Sequence, residues 1–219
     1  SHAEGEATRH WRPATSAGLR LRAAAADGRG VPATDAAGRW LLRPAADDPR
    51  DVELYQLRGA TPVLHARLDS ARVPQRARML VSPDGTRAAR VGTSAAVWWS
   101  LADLSPEAPP AGADAPLTLT PAGEFVAPEG AALVEGVFDV DGALRVVHRR
   151  ADGTHQVRRW PEGDVLLDEL PASGWWRLRG RGRWLLEIPQ LGSQGGLRLA
   201  RGALRAFDLD APGPPVELE

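Results

Sequence analysis

Gly38-Arg39-Trp40-Leu41-Leu42 and Gly182-Arg183-Trp184-Leu185-Leu186 are the same five residues, 144 positions apart. Each opens on a glycine, which tolerates the positive φ of a tight turn, and runs directly into an apolar stretch short enough for a strand. Two looser copies lie between them. Gly85 precedes Thr86-Arg87-Ala88-Ala89, and Gly142 precedes Ala143-Leu144-Arg145-Val146-Val147. The four glycines are spaced by 47, 57 and 40 residues, close to the period of about 40 to 50 residues expected of a four-stranded repeat.

A second landmark follows each glycine. Tyr55-Gln56-Leu57, Trp99-Ser100-Leu101 and Phe207-Asp208-Leu209 share an aromatic–polar–leucine pattern, and Trp160 holds the aromatic slot of the third unit, where Pro161 and Glu162 interrupt it. These aromatics stand 17, 14, 18 and 25 residues after their glycines. The last gap contains Gln190 to Gly196, rich in Gly, Ser and Gln, which reads as an inserted loop. Pro62-Val63-Leu64 and Pro215-Val216-Glu217-Leu218 add a further strand to the first and fourth units. Ordered landmarks predict four units, at about 31–71, 72–113, 131–171 and 172–219. Residues 114–130 read as an outer strand or an insertion, and 8–30 as a stray strand able to close a ring. The one helical candidate, Ala23 to Ala26, is short and uncapped.

Ser82-Pro83-Asp84-Gly85-Thr86-Arg87, followed by Val97-Trp98-Trp99-Ser100-Leu101, resembles a unit of the WD40 and related TolB-type β-propellers, and Phe207-Asp208-Leu209-Asp210 resembles the element that ends a third strand in those families. The likeness is best over residues 78–101. No unit carries the Gly-His dipeptide of WD40 proteins. The resemblance implies an all-β, propeller-like array of about four to five four-stranded antiparallel blades. Ser1-His2-Ala3 reads as a tag remnant opening a disordered N-terminus over 1–7, which leaves a single domain over 8–219.

Composition narrows the function classes. The chain has 219 residues, 23 Gly and 19 Pro scattered between apolar runs, and no cysteine. Thiolate metal sites, disulfides and cysteine nucleophiles are therefore excluded. All 27 basic residues are arginine, Asn is absent and Ile188 is the sole isoleucine, a bias we ascribe to a GC-rich bacterial genome. Net charge is −1, so no global field draws the protein to an anionic partner. No apolar run approaches the ~18 residues of a membrane-spanning helix. We expect a cytoplasmic location, with export left open by the tag-like start.

Candidate sites are sparse. No Gly-x-Ser-x-Gly elbow, phosphate loop or His-Glu-x-x-His occurs, and acid pairs such as Asp47-Asp48 and Asp168-Glu169 read as turn residues. No catalytic, cofactor or metal residue is assigned. His148 and His155 flank the Asp152-Gly153 turn and could face each other across a hairpin, and Asp139-Val140-Asp141-Gly142 has the look of a calcium-loop start without the later ligands. Partner binding is the expected role, carried by Arg177, Arg179, Arg181, Arg183, Trp98 and Trp175. On a strand, period-two spacing puts those four arginines on one face, and Trp98-Trp99 and Trp175-Trp176 each offer one ring to either side.

The function expected is therefore a non-enzymatic protein–protein interaction or scaffold domain of a larger bacterial protein, with another protein or a second copy as partner. Two other classes stand beside it: an enzyme or small-ligand site at the mouth of the ring, and nucleic-acid binding through residues 145–205, which hold 12 Arg against 6 acidic groups. Aromatic interleaving for base stacking is missing from the arginine run, which disfavours nucleic acid. Four phosphate contacts would give a log–log salt slope of about −3.6 on duplex DNA. Fluorescence anisotropy with a generic oligonucleotide is expected to detect no binding at low salt.

Overall fold

The computed structural model describes residues 32–45, 48, 51–58, 61–70, 73, 77–104, 117–172, 174–189, 204–211 and 213–218. The expectations for residues 1–31, among them the tag remnant, the closing strand, Ala23–Ala26, Asp27-Gly28, His2 and His10, lie outside these, as do Asp47 and the loop at 190–196. The described residues are all-β, and no helix among them is long and apolar enough to cross a membrane.

Among the described residues seventeen strands follow one another: β1 (Ala33–Thr34), β2 (Trp40–Pro44), β3 (Val52–Arg58), β4 (Thr61–Leu68), β5 (Arg78–Val81), β6 (Arg87–Val91), β7 (Ala95–Ser100), β8 (Leu117–Leu119), β9 (Gly123–Val126), β10 (Ala132–Phe138), β11 (Leu144–Arg149), β12 (His155–Trp160), β13 (Val165–Leu170), β14 (Gly174–Arg179), β15 (Trp184–Pro189), β16 (Leu204–Asp208) and β17 (Val216–Leu218). They form four sheets in the orders β1-β2-β3-β4-β8, β5-β6-β7-β9, β10-β11-β12-β13 and β14-β15-β16-β17. All pairings are antiparallel save β4–β8. The 114–130 region thus supplies two edge strands: β9 completes the second sheet, while β8 pairs in parallel with the outer strand of the first.

The two landmarks fall at matching places. Gly38, Gly85, Gly142 and Gly182 all have positive φ and lie in the turn between the first and second strands of their sheets. Tyr55, Trp99, Trp160 and Phe207 all lie on third strands, opposite Leu41, Ala88, Leu144 and Leu185. Trp99 is fully buried, whereas Tyr55, Trp160 and Phe207 are half-buried. Alternation along each strand gives every sheet two faces. We call the face toward the preceding sheet leading and the other trailing.

Three apolar clusters fill the gaps between successive sheets. Trp40, Leu42, Leu54 and Leu68 of the first trailing face meet Met79, Ala88, Val97 and Trp99 of the second sheet. Ala89, Val91, Ala96 and Trp98 meet Phe138, Leu144, Val146 and Trp160 of the third. Val147, Val157 and Leu170 then meet Trp176, Leu178, Leu185 and Phe207 of the fourth. No comparable packing joins the fourth sheet to the first among the described residues.

Polar links run the same way around the rim. Arg39, aligned by Asp35 at 2.9 Å, donates to the Asp84 carbonyl in the second sheet's turn. Arg87 donates to the Gly142 carbonyl at 3.0 Å, and Arg145, aligned by buried Asp139, donates to the Gly182 carbonyl at 3.2 Å. The Gly85 and Gly182 turns lie against the arginines that reach them, and the Gly142 turn against Asp84. A Cβ on Gly85, whose φ is +71°, would lie 2.4 Å from the Arg39 guanidinium. On the inner side, Glu135 of β10 accepts from Arg78 of β5 and from the Leu178 amide of β14, both at 2.8 Å, so one buried carboxylate ties three first strands.

Gly123, where β9 begins, is fixed by packing. A Cβ there would fall 2.0 Å from the Trp98 indole, itself wedged beside Trp160 at 6.2 Å. Gly123→Ala must push that ring into the gap between the second and third sheets. We expect a stability loss of about 1–3 kcal/mol, read as a lower urea midpoint with an unchanged m-value.

Candidate functional site

The sequence-predicted residues separate into two groups. Trp98 faces the third sheet, in contact with Gly123 and Trp160, and serves the core. The arginine stripe is interrupted because β14 ends at Arg179 and residues 180–183 form a turn. Arg177 and Arg179 share the trailing face of β14. Arg181 sits exposed in the turn at φ +54°, and Arg183 is clamped to Asp208 at 2.7 Å. Alternation fails here because Gly180 and Gly182, spaced like strand residues, both take turn φ values. Arg145 is buried between Asp139 and Asp210, so it adds nothing to an exposed basic patch.

Trp175 is 59% exposed while Trp176 beside it is fully buried. Trp175 borders an open cleft of about 340 Å³ where the third and fourth sheets part, lined also by Val134, Arg149, His155, Trp176 and Arg177. An exposed indole thus stands with two guanidinium groups, Arg149 from β11 and Arg177 from β14. The cleft floor is apolar through Trp176, whose ring lies 6.0 Å from that of His155. The indole Nε1–H of Trp176 donates to the Pro171 carbonyl at 3.3 Å, and His155 Nδ1 lies 3.1 Å from the same oxygen. This arrangement can hold an apolar group against the rings and an anionic one at the arginines. Arg149 of β11 and Arg177 of β14 come to line one cleft because the third and fourth sheets adjoin there.

His148 and His155 do not meet. Their partners across the β11–β12 hairpin are Gln156 and Arg149, so the two imidazoles point to opposite faces of the sheet. His148 faces the second sheet, 5.6 Å from the Phe125 ring, with both ring nitrogens buried and unpaired. Asp139, the start of the calcium-like stretch, spends both oxygens on its own turn and on Arg145: Oδ1 accepts from the Asp141 and Ala143 amides, and Oδ2 from Arg145. Among the described residues no group of three or more His, Asp or Glu is placed to hold a metal ion.

No known family's sequence profile matches the chain, and no curated protein matches it.

Burial holds both His148 and His155 below the ordinary imidazole value, and the Arg158 and Arg150 charges add to this at His148. A depressed folded value means the unfolded chain takes up protons first. Stability is therefore fully present above the unfolded value of about 6.5 and is lost as pH falls through the folded values. Urea midpoints are expected to drop from about pH 7.5 to about pH 5.5, before most carboxylates titrate. His148→Leu should flatten part of that drop.

Proposed function

We propose that this chain is a propeller-like, non-enzymatic domain that holds another protein on its fourth sheet. Four sheets, antiparallel but for the β4–β8 pairing, support the propeller-like reading, with three first strands gathered by Glu135 and first turns linked in series by arginine. The likeness of residues 78–101 to WD40 and TolB-type units supports it too. The residue that carries the binding reading is Trp175. An exposed indole flanked by Arg149 and Arg177 above an apolar floor has the composition of an interface hot spot, where Trp, Tyr and Arg supply most of the energy.

The chemistry of the cleft describes its partner as a protein segment with an apolar or aromatic side chain next to a carboxylate. The ring fills the cleft against Trp175 and Trp176, and the carboxylate pairs with the guanidinium groups. Specificity then comes from the spacing of the two features, since the sheets offer a stiff platform that reorganises little on binding. The test is differential capture from a lysate of the encoding organism, with protein carrying Trp175→Ala and Arg177→Glu as the comparison. A partner retained by the unaltered chain and lost, at least about tenfold, by the double variant is expected from removal of a hot spot. Identical captured sets from both proteins would remove the reading.

A further inference from the structure

We propose that the trailing face of the fourth sheet receives the leading face of the first sheet of a second copy of this chain, so that two copies join head to tail. The proposal rests on reading the four sheets as an arc of a propeller-like ring. Trp175 and Arg177 lie on the same face at strand β14, and the contact between copies uses its remaining strands, β15 to β17.

The identical pentapeptides provide an internal comparison. Trp40 and Leu42 lie on the trailing face of the first sheet and are buried, 1% and 0% exposed, beneath the second sheet. Trp184 and Leu186 occupy the same positions of the same string on the trailing face of the fourth sheet, and both are only half-buried. What shields Trp184 is its own turn, with the Arg183 guanidinium 5.2 Å from its ring and Gly180 against its edge. The register extends this face across the sheet: Leu186 lies beside Ala206 and Val216, and Leu204 beside Leu218. Val216 is 53% exposed and Leu218 42%. Among the described residues no sheet lies on this face, whose Trp184 and Leu186 match the Trp40 and Leu42 that pack on the second sheet.

The rim repeats the pattern. Arg39, Arg87 and Arg145 each donate to a carbonyl in the first turn of the next sheet. Arg183 follows Gly182 as Arg39 follows Gly38, and it is the last of the series. Among the described residues no next turn receives it, and Asp208 holds it instead. A first turn placed after the fourth sheet would offer Arg183 the acceptor that Arg39 finds in Asp84. The matching turn is Asp35–Gly38.

The chain also carries the complementary surface. On the leading face of the first sheet Tyr55 stands where Trp99, Trp160 and Phe207 stand on theirs, and those three pack on the sheet before. Tyr55, Leu57 and Leu64 are half-buried, and among the described residues no sheet precedes them. The Tyr55 hydroxyl donates to Glu53 at 2.6 Å, and Arg43 stacks 4.4 Å from its ring, which presents one flat aromatic and guanidinium surface to an incoming face. Among the described residues, a trailing face without a follower and a leading face without a predecessor define a heterologous contact. Two four-sheet arcs so joined make eight sheets, within the usual range of about four to eight blades for a closed ring.

Light scattering on the 219-residue chain tests this. At about 100 µM, well above a micromolar Kd, the mass is expected to be twice that of the monomer. Val216→Glu with Leu218→Glu, on an exposed edge strand, should weaken the dimer at least about tenfold. Leu64→Arg on the leading face should do the same, with circular dichroism confirming that each variant is folded. Mixed together, the two variants should pair with each other more strongly than either pairs with itself, because one contact is intact only in the mixture. A monomer at every concentration overturns the proposal, whether the face stays open or is covered from within the chain. An undiminished dimer in the Val216/Leu218 variant overturns it as well, as does a Leu64 variant that dimerises normally, which would indicate fourth sheet on fourth sheet. Loss of dimer formation with Trp175-dependent capture intact removes this inference alone.

Discussion

An arginine reaching from one sheet to a turn carbonyl of the next is the constraint on which this architecture depends. Apolar clusters between sheets supply most of the driving force but little direction, since hydrophobic contact is indifferent to sliding. The charge-assisted hydrogen bonds from Arg39, Arg87 and Arg145 fix the rotation and height of each sheet against its neighbour. One of them also accounts for a turn glycine. The receiving turn must let a guanidinium approach its backbone, and at Gly85 a side chain would occupy the space that Arg39 fills. The best-buried of these links, Arg145 with Asp139, is one in which removing either partner would strand a charge in the interior.

Much of this was legible as sequence and some was not, for definable reasons. The turn glycines and third-strand aromatics were readable because both are local: one needs positive φ, the other sits one hairpin downstream. The arginine run at 177–183 misled because glycine conformation does not follow from spacing, and a turn ending β14 at Arg179 looks the same in one dimension as a continuing strand. The two histidines looked paired because a hairpin brings both strands together, but which face each side chain takes depends on register, and register put Arg149 opposite His155. Glu135 carried no signal at all. Its role comes from three strands, β5, β10 and β14, meeting at one carboxylate.

The fourth sheet stands apart from the other three in chemistry as well as in place. Its turn lacks the Asp or Ser that Asp35, Ser82 and Asp139 provide three residues before the turn glycine, and Arg179 takes that position. Its arginine is tied back by Asp208, and its trailing face keeps large apolar side chains in reach of solvent. Surfaces of that kind on a β protein invite pairing with other chains, and arginine at the edge limits unwanted partners by making desolvation expensive for all but a complementary one. The exposed Trp175 and the guanidinium groups near it fit that balance between adhesion and selectivity.

The parallel β4–β8 pairing has a consequence for how the protein folds. Stacked repeats behave as nearly independent neighbours, able to fray one at a time from an end. Here the outer edge of the first sheet is closed by Leu117–Leu119, which follows all three inner strands of the second sheet, and the chain then turns directly into Gly123–Val126 to finish the second. One short segment therefore seals two sheets. Neither has its full set of strands until the other does, so the first half of the chain forms as a single cooperative unit with long loop closures, slower to assemble than a hairpin array of the same length. The third and fourth sheets, each built from consecutive strands alone, carry no such tie and can form as local meanders.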